Sequence, residues 1–138
     1  MDMQKLTQKS QEALQQAQNK AVEFGHQQVS TEHLVLALFE QPDGLVPRLL
    51  QRMDVPTDRV AEAVASELRK KPRVSGPGLE KDKIYLDHDL AAVMTAAEKQ
   101  AGKMRDEYVS VEHLFLTALQ HKSLRAVFSP TRAASSMP

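Results

Sequence analysis

The octet Val29-Ser30-Thr31-Glu32-His33-Leu34-Val35-Leu36 returns 80 positions later as Val109-Ser110-Val111-Glu112-His113-Leu114-Phe115-Leu116. A chain that repeats itself is built from two similar folding units. The repetition extends upstream: Leu6, Ala13, Leu14, Ala17, Ala21 and Phe24 align at the same offset with Leu86, Val93, Met94, Ala97, Ala101 and Met104. These are apolar positions at helical spacing. Polar positions between them differ freely, Gln15 against Thr95 and Gln18 against Glu98, as expected when only one face of each helix is buried. A length of 138 residues suits one compact domain, so repeats of roughly half that size share a core rather than fold separately. The expected fold class is all-α: two pseudo-symmetric helical repeats packed into one domain.

The side chains available for that core agree with helices. Two Tyr, four Phe and no Trp leave an interior of Leu, Val and Ala with Met filling gaps, material better suited to helices than to strands. The 18 basic and 18 acidic side chains are interspersed and sum to zero formal charge, so no general pull toward nucleic acid or anionic lipid is expected, and partners are recognised locally. The sequence has no cysteine, no long apolar run and no charged, apolar, small-residue leader. The expectation is a cytosolic protein without disulfides, secretion or a membrane span.

Thr7 stands where an N-cap belongs, before the periodic run to Phe24, and Gly25 is placed to end that helix. Asp87 takes the matching cap position in the second copy. Val29 and Leu34 bracket Ser30 as a hydrophobic staple brackets an N-cap, and Val109, Ser110 and Leu114 reproduce it. Gln41-Pro42-Asp43-Gly44 reads as a turn, Leu45 to Met53 as a third short helix with Pro47 in its first turn, and Thr57 to Lys71 as a fourth that Pro72 stops. The first repeat is thus 1–71. Residues 72–85, rich in Lys, Arg, Pro, Gly and Ser, read as a linker, and the second repeat is 86–128. That repeat is incomplete. After a short segment from Leu124 to Phe128, residues 129–138 lack an apolar period and any counterpart of the Thr57 to Lys71 helix. They read as an irregular tail, a fragment's end or an atypical one.

Catalytic chemistry finds little support. A phosphate-binding loop needs G-x-x-x-x-G-K-[ST]; Gly102-Lys103 is preceded at the required place by Ala97, followed by Met104, and set inside a helical run. No nucleotide hydrolysis is expected of this chain. His26, His33, His88, His113 and His121 include no pair three or four apart, which argues against a metal site. His33 and His113 are repeat-equivalent third residues of their helices and read as packed helix-start histidines. There is no cysteine nucleophile and no G-x-S-x-G serine. Glu32 and Glu112 lie in first turns, where the helix dipole favours acid without any ligand; a binding role is the other reading. Thr7 likewise reads as a plain cap or as a contact. Asp106 gains nothing from a dipole at the end of its helix, and a partner in cis or in trans is expected for it.

A doubled helical unit with [S/T]-x-E-H-L second helices resembles the N-terminal repeat domain of the Clp/Hsp100 unfoldases, over residues 1 to about 128. Lys5-Leu6-Thr7-Gln8-Lys9-Ser10, Gly25-His26, Arg73-Val74-Ser75-Gly76-Pro77-Gly78 and Asp106-Glu107-Tyr108-Val109-Ser110-Val111-Glu112-His113-Leu114 look most like its disaggregase branch. The resemblance implies a client-capturing domain tethered above the pore of a homohexameric AAA+ machine, which threads unfolded or aggregated proteins with the DnaK system. No cofactor is implied for this chain itself; ATP and Mg belong to the AAA+ modules of such a parent. Carried over by position, substrate engagement falls on Thr7, Asp106 and Glu112, and a neighbouring apolar patch on Ala96, Gln100 and His113, of which two are polar here.

A second resemblance is to the protease-linked branch, whose N-domain docks adaptors or phosphoarginine-marked clients. There Glu32 and Glu112 would hold a guanidinium through paired carboxylate hydrogen bonds. Ser110-Val111, where that branch usually has Gly-Thr, ranks this reading second. The residues alone imply a cleft where the first turns of repeat-related helices approach, combining acids with aliphatic walls and suited to extended peptides held with modest affinity.

Overall fold

A computed structural model describes residues 3–42, 44–73 and 85–120 of the chain. The linker stretch 74–84, the expected segment Leu124 to Phe128 and the tail 129–138 lie outside the described residues. A 3-10 turn, Met3–Lys5, leads into α1 (Gln8–Glu23), followed by β1 (Gln28–Val29), α2 (Thr31–Phe39), α3 (Leu45–Arg52), α4 (Thr57–Arg69), β2 (Tyr85–Leu86), α5 (His88–Lys103) and α6 (Val111–Leu119). α1, α3, α4 and α5 begin and end within two residues of the sequence expectation, and α2 and α6 begin directly after their expected serine caps. The fourth stops at Arg69, capped by Lys70, and Tyr85, read as the last linker residue, is instead the first residue of β2.

Caps explain where the helices start. Thr7 and Asp87 each accept a backbone N–H with the side chain, from Ser10 and Leu90 respectively. Ser30 and Ser110 form capping boxes. The third residue of such a box is usually Glu or Gln; here it is histidine. Ser30 accepts from the His33 N–H while His33 Nδ1 accepts from the Ser30 N–H at 2.8 Å, and Ser110 with His113 repeats this at 2.9 Å.

Helix ends are also repeated. Gly25 closes α1 at φ 74°, with its N–H on the Val22 carbonyl and the His26 N–H on the Ala21 carbonyl. At the equivalent place after α5, Arg105 takes φ 59°, with Arg105 on Gly102 and Asp106 on Ala101. Both are left-handed Schellman terminations, one made with glycine and one without.

The core lies around α2, whose nine residues are all buried. α1 packs on α2 and buries Leu14 with the small side chains of Ser10, Ala13, Ala17 and Ala21, and α3, α4 and α6 also pack on α2. Phe39 of α2 meets Phe115 of α6 edge to face, centroids 6.2 Å apart. Each fully buried leucine here, among them Leu34, Leu38, Leu90 and Leu114, contributes about 1.5–3 kcal/mol relative to exposure.

The repeats are joined by backbone that the periodicity did not announce. β1 pairs in parallel with β2, Val29 opposite Leu86, and Leu6 forms an isolated parallel bridge with Val109. With the offset of 80 these are one interaction made twice, each repeat presenting both halves of it. The Asp87 N–H donates to the Val29 carbonyl at 2.9 Å, and the Thr7 N–H to the Val109 carbonyl at 3.1 Å. Each repeat's first-helix cap is thus tied to the strand leading into the other repeat's second helix.

Candidate functional site

The Leu6–Val109 bridge brings Thr7 beside the segment that enters α6. Thr7 Oγ1 lies 2.9 Å from the Ser10 hydroxyl, and the buried Ser10 hydroxyl donates to the Val109 carbonyl at 2.9 Å. Val109 returns its N–H to the Lys5 carbonyl at 2.7 Å. Thr7 is therefore both a cap and part of the joint, half-buried at its outer edge.

Asp106 finds its expected partner in cis. Its Oδ2 lies 3.0 Å from His113 Nε2. Because His113 Nδ1 accepts the Ser110 N–H, the proton of the neutral ring sits on Nε2, and the ring donates it to Asp106. Seven residues separate the two in sequence, but the loop after α5 and the capping box of α6 orient them toward each other. Asp106 and Glu112 are exposed, while His113 is buried behind Asp106. The site thus presents two carboxylates and the Thr7 edge. Ala96 and Gln100, one turn apart on α5, lie on its exposed face, and His113 is not on that surface.

The offset of 80 gives this site an internal counterpart in repeat one: Thr7, Asp106, Glu112 and His113 correspond to Asp87, His26, Glu32 and His33. His33 Nδ1 accepts the Ser30 N–H, so Nε2–H donates to His26 Nδ1 at 2.9 Å. That leaves the His26 proton on Nε2, a buried atom with no partner among the described residues. Burial first, then the His26 ring and the Lys71 charge, hold His33 down at about 3. Burial also lowers His26, with Lys71 adding to it. Asp87 is pushed up, mainly by burial.

The two glutamates differ in surroundings. Glu32 is 6% exposed, and Lys71 Nζ approaches its Oε2 at 3.4 Å. Glu112 is exposed. The structure therefore places both acids at matching helix starts but does not leave both open. Among the described residues, no group of three or more His, Asp or Glu side chains is arranged to hold a metal ion, and no helix is long and apolar enough to cross a membrane.

Two helical repeats, each with its first-helix cap residue hydrogen-bonded to the strand that leads into the other's second helix, make up a Clp-type N-domain fold. The crystal structure of the Hsp104 N-terminal domain from Candida albicans has this fold, with a TM-score of 0.79, 22% identity, and coverage of 94% of this chain and 81% of that one. Residues 5–129 match the Clp repeat (R) N-terminal domain, and the chain belongs to that family. Among its relatives are ClpB chaperones. It is 52% identical over 120 residues, 87% of its length, to the chaperone protein ClpB of Nitratidesulfovibrio vulgaris, and 42% identical over 122 residues, 88% of its length, to that of Bacillus cereus. The chain spans 14% of the length of each.

Proposed function

We propose that this chain is the client-capturing domain of a ClpB-type disaggregase, binding unfolded or aggregated polypeptide segments at Thr7, Asp106 and Glu112. The motor chemistry, with ATP and Mg, belongs to the AAA+ modules of the parent, which works as a cytoplasmic homohexamer with the DnaK system. The observation that carries the reading is that Asp106 and Glu112 are exposed on the segment that the Leu6–Val109 bridge ties to the half-buried Thr7. Exposed Tyr108 and Leu116 supply apolar surface on the same loop and helix. Contacts this small give modest affinity, and six copies on one ring multiply it. A domain that grips many sequences and releases them needs that combination.

The test is an anisotropy titration of the 138-residue chain with a fluorescently labelled unfolded peptide, beside an arginine-phosphorylated peptide and a folded control. Preferential binding of the unfolded peptide, weakened by Glu112→Ala, is the expected result. Glu112→Ala should cost about 1 kcal/mol or less of stability, since it removes only a favourable dipole contact, and a circular-dichroism melt checks this. Preference for the phosphorylated peptide would instead favour the protease-linked reading. Lost stability with unchanged binding would reject the site.

A further inference from the structure

The two joints between the repeats share their backbone pairing but not their side chains. At one of them Asp87 caps α5, accepting the Leu90 N–H at 2.7 Å, and Leu90 is fully buried. At the other Thr7 caps α1, and the counterpart of Leu90 is Ser10, equally buried. A buried serine forgoes the apolar burial that a leucine provides, and its hydroxyl must find partners. Ser10 has two: it donates to the Val109 carbonyl at 2.9 Å and accepts from the Thr7 hydroxyl at 2.9 Å.

The direction of this relay is fixed by chemistry. A carbonyl oxygen only accepts, so the Ser10 proton lies toward Val109, and the Thr7–Ser10 contact is made with the Thr7 proton. Thr7 Oγ1 also accepts the Ser10 N–H at 3.2 Å. Its proton and one of its two lone pairs are therefore committed inside the protein. What Thr7 keeps for a ligand is one lone pair. A hydroxyl that could donate or accept is thereby made an acceptor, which the Asp87 carboxylate of the other joint is by nature.

We propose that Ser10 is a positioning residue that decides what Thr7 can bind: by holding the Thr7 hydroxyl proton, it makes Oγ1 a dedicated acceptor for a backbone N–H of an extended client segment. This rests on the client-capture reading at Thr7 and gives that contact its chemistry. A backbone N–H is the donor that every residue except proline carries, so the contact does not depend on client sequence. A client group that can only accept gains nothing from it.

The probes are two short fluorescein-labelled peptides of serine and leucine, identical except that in one every internal backbone N–H is replaced by an ester oxygen. The 138-residue chain should prefer the amide peptide. In Ser10→Ala the freed Thr7 hydroxyl can turn its proton to an ester carbonyl, and the preference should fall about fivefold, the worth of one hydrogen bond. Thr7→Asp in the Ser10→Ala background copies the Asp87 cap, supplies an acceptor that needs no relay, and should restore the preference. Thr7→Ser keeps both hydroxyls and should match the parent. In the unsubstituted chain the Ser10 hydroxyl proton should exchange slowly enough to be seen by NMR, a test that needs no variant to fold. A parent that binds both peptides equally, or a Ser10→Ala chain, folded by circular dichroism, with the parent's preference, overturns the positioning role and leaves client capture standing. So does a Ser10 hydroxyl proton that exchanges like that of free serine. Failure of Thr7→Asp to restore the preference overturns the dedicated acceptor. Binding of neither peptide overturns both this proposal and client capture.

Discussion

Acidification should weaken this fold through His33, in a window set by its environment. In the folded chain the ring is fully buried, accepts the Ser30 N–H on Nδ1 and donates from Nε2 to His26. A proton added to Nδ1 would face the Ser30 N–H, close to the Lys71 charge, and the group is held at about 3 against an ordinary 6.5. Between those values the unfolded chain binds the proton and the folded one does not, so stability falls as pH falls, by about 1.4 kcal/mol per pH unit. From pH 6.5 to 5 the loss comes to roughly 2 kcal/mol, a large share of the 5–15 kcal/mol of an ordinary domain. His26, also lowered, adds in the same direction. Asp87 acts oppositely: its raised value lets the folded chain take a proton before the unfolded one, so its contribution favours folding as pH falls, and it is common to the parent and the His33→Gln chain. Urea unfolding followed by circular dichroism, at constant m-value, gives the slope. His33→Gln keeps an acceptor for the Ser30 N–H, as glutamine does in ordinary capping boxes, but cannot titrate. Its slope over the same range should be clearly shallower than the parent's, with the His26 contribution remaining. A parent that is itself flat from pH 6.5 to 5, or a His33→Gln chain with the parent's slope, would refute the reasoning.

Two further expectations concern stability. Arg105→Gly should stabilise by about 0.5–1 kcal/mol, because it relieves a left-handed backbone that glycine adopts freely, whereas Gly25→Ala at the equivalent position should destabilise; thermal melts decide both. Ala17→Leu should cost roughly 1–3 kcal/mol by overfilling a fully buried site on α1, and a denaturant midpoint unchanged from the parent would contradict the close packing of α1 on α2.

The helices and the doubling were legible in the sequence because each depends on information carried locally. The 3.6-residue period of α1 and α5 and the serine caps of α2 and α6 need no knowledge of the rest of the chain. The β1–β2 pair and the Leu6–Val109 bridge escaped notice because two residues are too few to show an alternating pattern, and Tyr85 sits at the edge of a composition typical of linkers. The histidine capping boxes had a signal, Ser-x-x-His at both helix starts, but its donor is a backbone N–H and its acceptor a residue type seldom used there. The partner of Asp106 lay seven residues away, across a turn whose geometry Arg105 sets. Least legible was the difference between Glu32 and Glu112. Their neighbours in sequence are nearly the same; what separates them is Lys71, which arrives from 39 residues downstream.

The reciprocal bridges give the two repeats the relation of subunits in an isologous dimer, in which one contact is made twice about a two-fold axis. Neither half is complete alone, because Thr7 and Asp87 each depend on a carbonyl that only the other half supplies. The peptide bond between the halves then serves mainly to set their concentration relative to each other. Halves separated by cleavage in the 74–84 stretch would stay associated as a complementing pair, and melting would remain a single event shared by both.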